Sequence, residues 1–335
     1  MTVHYAVLAL GAAFACSLAG PMVTEASDGA STPTQWLDRM NRAFNERNYD
    51  GVFSYYSGAD LSTIRVVHVV EDGVQKERLV HLNGAPREII RKGDKVACIL
   101  QPGDEILELE SSIPSGPFAR AFTRRFDQVS DNYELSVHGR DRVADREAVR
   151  LAILPQDADR YGYRLWLDES TGMLLRSELI DTNGARLEIF QFATIQLDQP
   201  IDAAALLPQA HAGAVTSHLT LDSATAPAEA SDEVVWEAGW VPTGFTMAAW
   251  DVRRAPTHKD VNTLMYSDGL AAFSVFIEEM PEVGAGSLIS RNGATVAVTH
   301  VVSRREGGQH LVTVVGEVPT PTAQRVARSI RFVRR

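Results

Sequence analysis

Metal binding and hydrolysis require histidine, carboxylate or serine side chains at defined spacings, and this chain does not show those spacings. From His68 to His310 the histidines occur singly, without the three-to-five-residue spacing that directs two imidazoles to one zinc ion. We interpret them as solvated or strand-surface residues. There is also no Gly-x-Ser-x-Gly turn, so a serine hydrolase site would have to be assembled by the fold alone.

One acidic segment partly imitates a calcium-binding loop. Asp157, Asp159 and Asp168 have suitable spacing, but Tyr161 occupies the fifth position and Asp168 stands where a bidentate glutamate is usual. The segment also runs directly into a predicted strand. We therefore expect no metal site, no cofactor and no catalytic residue, and the sequence favours a binding or regulatory protein over an enzyme.

Six aromatic residues form the sharpest candidate for a binding site. Three rings fall four residues apart on one face of a predicted helix, and three more lie on predicted strands. Such rings can line an apolar cavity for a lipid-like ligand between the helix and a curved sheet, or they can fill an ordinary core. Both interpretations stay open. The residues are Phe118, Phe122, Phe126, Trp166, Phe190 and Phe192.

Basic residues near the C-terminus form a second candidate, a surface that could accept an acidic peptide. Ordinary solvated arginines are the alternative, because the acidic residues of this region balance the basic ones overall. The candidates are Arg254, Lys259, Arg304, Arg305, Arg325 and Arg328.

The elements that position these residues are mostly strands. Thr34 is placed to cap a first helix, in which Leu37, Met40 and Phe44 share one face. Period-two segments follow, separated by turn pairs such as Asp72-Gly73, which predicts an antiparallel sheet that curls on itself. The predicted strands are Val52 to Tyr56, Ile64 to Val70, Arg78 to Leu82, Arg87 to Ile90, Lys95 to Leu100, Glu134 to His138, Ala148 to Leu154, Tyr163 to Leu167, Leu174 to Ile180 and Arg186 to Leu197, with a helix at Ser115 to Tyr133.

The chain divides into two predicted domains. Residues 31–207 form a β-rich first domain, and residues 208–231, which lack Lys and Arg, read as a linker. Residues 232–335 form a smaller domain of four or five strands and a closing helix. In that helix Thr320 is the expected cap, Pro321 takes the first position, and Ala323, Val326, Ala327 and Ile330 form the buried stripe.

The N-terminal residues are typical of an export signal. Tyr5 to Leu18 is apolar but short for a membrane span, and Ser17-Leu18-Ala19 carries small residues where a signal peptidase cleaves. We predict a signal peptide at residues 1–19, with an uncleaved anchor and lipidation of Cys16 as alternatives. After cleavage Cys98 would be the remaining cysteine, and we interpret it as a buried apolar residue on a strand.

Length and charge restrict the class of protein further. The 335 residues suffice for two domains, and the net charge is −11. Residues 31–205 contain 21 basic and 28 acidic side chains, whereas residues 232–335 contain 11 of each. A phosphate backbone requires a basic face, so this balance argues against a nucleic-acid partner.

Several short segments together point to a known family. The densest group lies in the second domain and comprises Gly239-Trp-Val-Pro-Thr-Gly-Phe245, Tyr266-Ser-Asp-Gly-Leu270, Phe273-Ser-Val, Val314-Val-Gly-Glu-Val-Pro319 and Thr322 to Ile330. The first domain adds Trp36-Leu37, Asn48 to Tyr55 and Pro86 to Arg91. These segments resemble the RseB/MucB family of periplasmic negative regulators of the sigma-E envelope-stress pathway, and the resemblance extends over nearly all of the chain after the signal.

The resemblance implies an α+β fold that is mainly antiparallel β. It comprises a half-open barrel of the lipoprotein-carrier type covered by helices, and a smaller sheet-and-helix domain. It also implies a periplasmic protein that binds the periplasmic segment of a membrane anti-sigma factor and shields it from the site-one protease. A lipid or lipopolysaccharide-like ligand would loosen that binding. A homo-oligomer stays open, a lipid or lipoprotein carrier is the first alternative, and a secreted hydrolase is the second.

Overall fold

The computed structural model describes residues 31–93, 95–100, 131–209, 215–220, 235–254, 260–280, 288–303 and 308–333. From Thr32 onward the described residues belong to one compact unit. Within it lie two antiparallel sheets of different size, a two-stranded ribbon and two α-helices.

Helix α1, Pro33–Glu46, begins two residues earlier than the sequence suggested. Thr32, not Thr34, is the cap, because the Thr32 hydroxyl accepts from the Gln35 amide and the Gln35 side chain accepts from the Thr32 amide. Proline suits the first helical position since its missing N–H has no partner there. Leu37 and Met40 are buried on the predicted face.

The first sheet contains eleven strands in the order β11-β5-β4-β3-β2-β1-β10-β9-β8-β7-β6. Every pairing within it is antiparallel, which confirms the predicted fold class. The strands are β1 Tyr49–Ser57, β2 Asp60–Glu71, β3 Val74–His81, β4 Glu88–Lys92, β5 Lys95–Leu100, β6 Tyr133–Val143, β7 Arg146–Pro155, β8 Gly162–Asp168, β9 Leu174–Ile180, β10 Arg186–Leu197 and β11 Val215–Thr220.

Tight turns give this sheet its hairpins. Asp72 and Gly73 join β2 to β3 with φ values of 51° and 75°, the left-handed conformation that a two-residue hairpin requires. Ala144 and Asp145 make a similar turn between β6 and β7, with φ values of 51° and 61°, which the sequence did not signal. The predicted helix at Ser115 to Tyr133 lies outside the described residues up to residue 130, and beyond it residues 131 and 132 form a turn and Tyr133 begins β6.

Strand β11 lies within residues 208–231, the segment that the sequence predicts to be a linker. Val215 to Thr220 pairs with Leu100 to Lys95 along the edge of the first sheet. The segment has no amphipathic period to reveal this, because an edge strand is held mainly by its backbone hydrogen bonds. A short 3₁₀ helix, Ala203–Leu206, precedes it.

The core of the first domain lies between α1 and the sheet. Trp36, Leu37 and Met40 of the helix join a large cluster with the apolar residues of β1, β2 and β6 to β10. Cys98 on β5 is fully buried in that cluster, as predicted. The Arg39 guanidinium donates to the carbonyl oxygens of Glu169 and Ser170 at 3.0 Å each, which fastens the helix to the β8–β9 turn.

The second domain has more strands than the four or five predicted. A six-stranded sheet runs in the order β13-β14-β15-β18-β17-β16, and β12 pairs with β19 beside it. The extra strands are short edge segments at the limit of sequence detection. The strands are β12 Val235–Ala238, β13 Thr246–Arg254, β14 Asp260–Ser267, β15 Ala272–Met280, β16 Ile289–Asn292, β17 Thr295–Ser303, β18 Gln309–Gly316 and β19 Ile330–Val333.

Helix α2, Thr320–Ser329, covers the second sheet. Its cap residue is Pro319, so Thr320 and Pro321 occupy its first two positions rather than the cap and first position. Ala323, Val326 and Ala327 are fully buried against the valines of β17 and β18, as the predicted stripe required.

Candidate functional site between the two sheets

A fully buried arginine joins the first domain to loops of the second. Arg160 lies just before β8, and its Nε and Nη2 donate to the Asp157 carboxylate at 3.1 and 2.9 Å. Its Nη1 donates to Asp268 Oδ2 at 2.5 Å, and Nη2 also donates to the carbonyl oxygen of Thr243. The last two acceptors belong to the second domain. Because a buried charge is stable only when paired, these contacts require the two domains to stay docked.

Asp268 is fully satisfied from both domains. Its Oδ2 also accepts from the Tyr133 hydroxyl of β6 at 2.9 Å, and its Oδ1 accepts from the amides of Leu270 and Ala271 at 2.9 and 2.7 Å. Burial, followed by the charge of Asp268, raises the pKa of Tyr133. The phenol therefore stays protonated and remains a donor to Asp268.

Two aromatic rings enclose the guanidinium of Arg160. Its central carbon lies 5.5 Å from the ring centroid of Tyr133 and 5.1 Å from that of Phe245. Burial lowers the pKa of Arg160, but the hydrogen bond to Asp157 and the charge of Asp268 outweigh it and raise the pKa. The site is thus an ion-pair network around a fully buried guanidinium, which orients its side chains firmly.

A second contact between the domains is built around Glu188 on β10. One carboxylate oxygen accepts from the Tyr55 hydroxyl at 2.6 Å, and the other accepts from Ser57 Oγ at 3.0 Å. The second oxygen also accepts from the amide of Ala294 at 3.1 Å, in the β16–β17 turn. Gly293 in that turn has φ 57°, and a Cβ there would overlap Ser57 Oγ. The close approach therefore requires glycine.

A second carboxyl group lies near Glu188. Glu317, in the loop between β18 and α2, is a partly buried residue whose carboxyl group is shielded from water. That burial, and then the charge of Glu188, raises the pKa of Glu317 from 4.5 to about 8. Glu317 is therefore protonated at neutral pH.

Further contacts complete the interface. Thr322 on α2 donates from its hydroxyl to Asp159 Oδ1 at 3.0 Å. Leu270 and Ala294 of the second domain are buried within the core cluster of the first. The two domains therefore share apolar surface as well as polar contacts.

Sequence segments that carried the family resemblance meet at this interface. Thr243 and Phe245 come from the Gly239–Phe245 segment, Asp268 and Leu270 from the Tyr266–Leu270 segment, and Glu317 from the Val314–Pro319 segment. The resemblance therefore marks the surface that joins the two domains.

Sequence reasoning did not identify Arg160, Glu188 or Asp268. The partners that these residues find in the other domain lie far away in sequence, and Arg160 and Asp268 are 108 positions apart. A signal existed for Asp268, since it sits within a short motif between two strands. A charged residue in such a motif is a candidate for a buried pair.

The aromatic cavity candidates are only partly described. Phe118, Phe122 and Phe126 lie outside the described residues. Phe190 and Phe192 are buried with ring centroids 5.2 Å apart, and Phe53 packs on them at 4.8 and 5.8 Å. This close packing favours the core interpretation for these two phenylalanines.

Trp166 does not join them. It pairs with Arg176 of β9, whereas Phe190 pairs with Ser177, the next residue along that strand. Paired residues share a face of the sheet and neighbours alternate, so Trp166 lies on the opposite face from Phe190. Its ring is covered by the Arg176 guanidinium at 4.7 Å, and its Nε1 donates to Asp141 at 2.8 Å. Trp166 and Phe190 therefore do not line the same side of the sheet.

The basic candidates are also dispersed. Lys259, Arg304 and Arg305 lie outside the described residues, and Arg254 ends strand β13. Arg325 and Arg328 are exposed on α2, and the Arg325 guanidinium lies 3.8 Å from the ring centroid of Trp240. These two exposed arginines and the partly buried Trp240 form a surface, which we call the α2 patch.

The acidic residues that imitate a calcium-binding loop in the sequence have structural roles. Asp157 pairs with Arg160, Asp159 accepts from Thr322, and Asp168 pairs with Arg146 and caps the following turn. Over the described ranges no group of three or more histidine, cysteine or acidic residues is placed to hold a metal ion.

His68 corrects the interpretation of the histidines as surface residues. It is 2% exposed, stacks on Tyr49 with centroids 4.7 Å apart, and its Nδ1 lies 2.9 Å from the Arg47 carbonyl oxygen. Burial lowers the pKa of His68, so it is a neutral part of the core.

A polar cleft of about 300 Å³ lies between α1 and the β8–β9 turn. Three arginines, one glutamate and two hydroxyl residues contribute to it, so its chemistry differs from the predicted aromatic cavity. The lining residues are Arg39, Arg42, Ala43, Glu46, Arg47, Ser170 and Thr171.

Within the part of the chain that the structure describes, no helix has the length and apolar character needed to cross a membrane. The described residues define a two-domain α+β protein of antiparallel sheets joined by a buried polar interface.

Comparison with known proteins gives the family. Residues 32–210 match the MucB/RseB N-terminal domain, and residues 230–331 match the MucB/RseB C-terminal domain. The chain therefore belongs to the MucB/RseB family, as the sequence resemblance indicated.

Relatives of known role are similar over almost their whole length. The sigma factor AlgU regulatory protein MucB of Pseudomonas aeruginosa is 38% identical over 320 residues, which cover 94% of this chain and 95% of MucB. The sigma-E factor regulatory protein RseB of Escherichia coli K12 is 27% identical over 329 residues, which cover 95% and 97%. A crystal structure of MucB in complex with MucA(peri) superposes with a TM-score of 0.72 at 36% identity, covering 89% of this chain and 98% of MucB. The family is one of sigma-factor regulatory proteins.

Proposed function

We propose that this protein is a periplasmic negative regulator that binds the periplasmic segment of a membrane anti-sigma factor and shields it from regulated proteolysis. The observation that carries the proposal is the similarity to MucB over both domains, because MucB was solved in complex with MucA(peri). The predicted signal peptide at residues 1–19 supports the location. The lipid or lipoprotein carrier is disfavoured, since a carrier has no need of the second domain.

The α2 patch is our candidate for contact with the anti-sigma factor. Arg325 and Arg328 present positive charge beside the indole of Trp240, and arginine and tryptophan are enriched where proteins bind each other. Such a surface suits a peptide that carries acidic and apolar side chains. Arg254, Lys259, Arg304 and Arg305 remain proposed contributors.

Calorimetric titration of the protein with the purified periplasmic domain of the anti-sigma factor encoded beside it tests both ideas. We expect saturable binding, weakened about tenfold or more when Arg325→Glu and Arg328→Glu are combined, because reversed charges face the same partner. Arg42→Glu is the matched control, since Arg42 is an exposed arginine on α1, and it should bind as the wild type does. If the wild-type protein did not bind, the proposal that it is a regulator of the anti-sigma factor would be rejected.

We also propose that a lipid or lipopolysaccharide-like ligand releases the partner. A ligand can do this only if it binds the free regulator more tightly than the complex. Repeating the titration with lipopolysaccharide should then raise the dissociation constant. An unchanged dissociation constant would leave the proposed regulatory role intact and would reject the lipid or lipopolysaccharide-like ligand.

A further inference from the structure

The polar cleft between helix α1 and the β8–β9 turn has walls that are held in place by close contacts. The Arg39 guanidinium donates to the carbonyl oxygens of Glu169 and Ser170. Its central carbon lies 4.2 Å from the ring centroid of Trp36. Gly172 in the turn has φ 80°, and a Cβ there would lie 2.8 Å from Arg39 Cβ. The helix and the turn therefore meet closely, and a ligand would find the cleft already formed.

The β8–β9 turn is itself braced by a carboxylate. Asp168 Oδ1 accepts from the Ser170 hydroxyl at 2.6 Å, and from the amide and the hydroxyl of Thr171 at 2.8 Å each. Because each hydroxyl has one proton to donate, Ser170 and Thr171 shape the cleft without donating to a ligand. The donors for a ligand must come from the arginines.

Two arginines of the cleft have donors to offer. Arg42 is exposed on α1, and it forms no hydrogen bond or ion pair with any described residue, including Glu46 one turn further along the helix. Arg47 follows the helix and pairs with Asp198 through Nη1. A guanidinium has five N–H donors, so this pair does not exhaust it.

The charge and size of the cleft match one class of ligand. Its three arginines and one glutamate give a formal charge of +2, and Ala43 is the single apolar residue in the lining. The carbonyl end of α1 lowers the positive charge to about +1.5. A phosphate monoester carries about −1.5 to −2 at neutral pH. The volume of about 300 Å³ lies at the lower end of the range for small-molecule sites. The cleft therefore suits a small hydrophilic dianion and not an acyl chain.

We propose that this cleft binds a phosphate monoester through Arg42 and Arg47, with Arg39 forming the wall and adding its charge. Guanidinium groups match phosphate oxygens with pairs of parallel hydrogen bonds. The phosphate can belong to a small soluble molecule or to the headgroup of a lipid, because both present the same chemistry. The cleft belongs to the first domain and the α2 patch to the second, so the inference does not depend on binding of the anti-sigma factor.

Calorimetric titration of the protein with glucose 6-phosphate tests the site, and glucose is the neutral control. We expect saturable binding of the phosphate and no binding of glucose. Arg42→Gln should fold as the wild type does, since Arg42 has no partner among the described residues, and should weaken binding about tenfold or more. Arg47→Gln should weaken binding as well. Arg150→Gln is the matched control, because Arg150 is an exposed arginine on β7 of the same domain, and it should bind as the wild type does.

Vesicles distinguish the two sources of the phosphate. Phosphatidylcholine vesicles that contain phosphatidic acid, a phosphate monoester, are compared in a sedimentation assay with vesicles that contain phosphatidylglycerol, a diester. Retention on phosphatidic acid that Arg42→Gln abolishes would identify a lipid headgroup as a ligand, whereas binding of glucose 6-phosphate without retention would identify a small soluble phosphate. The proposal is overturned if neither phosphate binds, if glucose binds as well as its phosphate, if both anionic lipids retain the protein equally, or if Arg42→Gln and Arg150→Gln bind alike.

Discussion

At the interface between the two domains, polar contacts form where there is no room for a larger side chain. Gly293 illustrates this, because its backbone lies against Ser57 and the Glu188 carboxylate, and its φ of 57° is one that side chains disfavour. Both conditions exclude a methyl group. Few residues other than glycine could let the β16–β17 turn approach the first sheet so closely.

Gly293→Ala should therefore cost more stability than a glycine replacement in an open turn. We expect a loss of about 3 kcal/mol, because backbone strain adds to overlap with Ser57 and Glu188. Gly73→Ala is the control, since Gly73 also has positive φ, 75°, but has nothing within 4 Å of a Cβ. It should cost about 1 kcal/mol. Urea denaturation measures both, and equal losses would show that the turn is not closely packed.

Helix and strand boundaries depend on which backbone groups find partners. At α1 the sequence predicted Thr34 as the cap, whereas the structure uses Thr32, because its hydroxyl and the Gln35 side chain accept from each other's backbone amides. At β11 the backbone of a segment without hydrophobic period pairs with the edge of β5. A local sequence pattern predicts the interior of a helix or strand more reliably than its ends.

Removal of the true cap distinguishes the two threonines. Thr32→Ala should lower the free energy of unfolding by about 1 kcal/mol, because the Gln35 amide loses the hydroxyl that accepts its hydrogen bond. Thr34→Ala, at an exposed position within the first turn, should change it by less than about 0.5 kcal/mol. Thermal unfolding followed by circular dichroism compares them, and a larger effect at Thr34 would restore the sequence-based assignment.

The two domains are joined by polar contacts of different kinds. In the Arg160 network a guanidinium pairs with the carboxylates of Asp157 and Asp268. At Glu188 the donors are the hydroxyls of Tyr55 and Ser57 and the amide of Ala294. Both contacts hold the second domain against the first sheet.

Replacing Arg160 should weaken the entire molecule. In Arg160→Met the carboxylates of Asp157 and Asp268 lose their cation, and we expect a loss of about 3 to 5 kcal/mol. The unfolding transition should also separate into two steps, because the second sheet loses its strongest polar tie to the first. Urea titrations followed by fluorescence and by circular dichroism reveal this as non-coincident curves.

The control is Arg142→Met, because Arg142 also pairs with an aspartate, Asp145, but its side chain is 66% exposed. That variant should lose less than about 1 kcal/mol and keep a single transition. If Arg160→Met lost as little stability as Arg142→Met and kept a single transition, the Arg160 network would not be what joins the two domains.

The sequence pattern alone predicted the exact bounds of strands β5, β9 and β10 and the Asp72-Gly73 hairpin. It also predicted the buried stripe of α2 and the family. These features depend on alternation, turn residues and motifs that are read over a few positions. Only the tertiary structure placed Trp166 and Phe190 on opposite faces of the sheet, and brought Arg160 to Asp268 across 108 residues. Such pairings follow from strand register and from how the domains dock, and no short stretch of sequence carries that information.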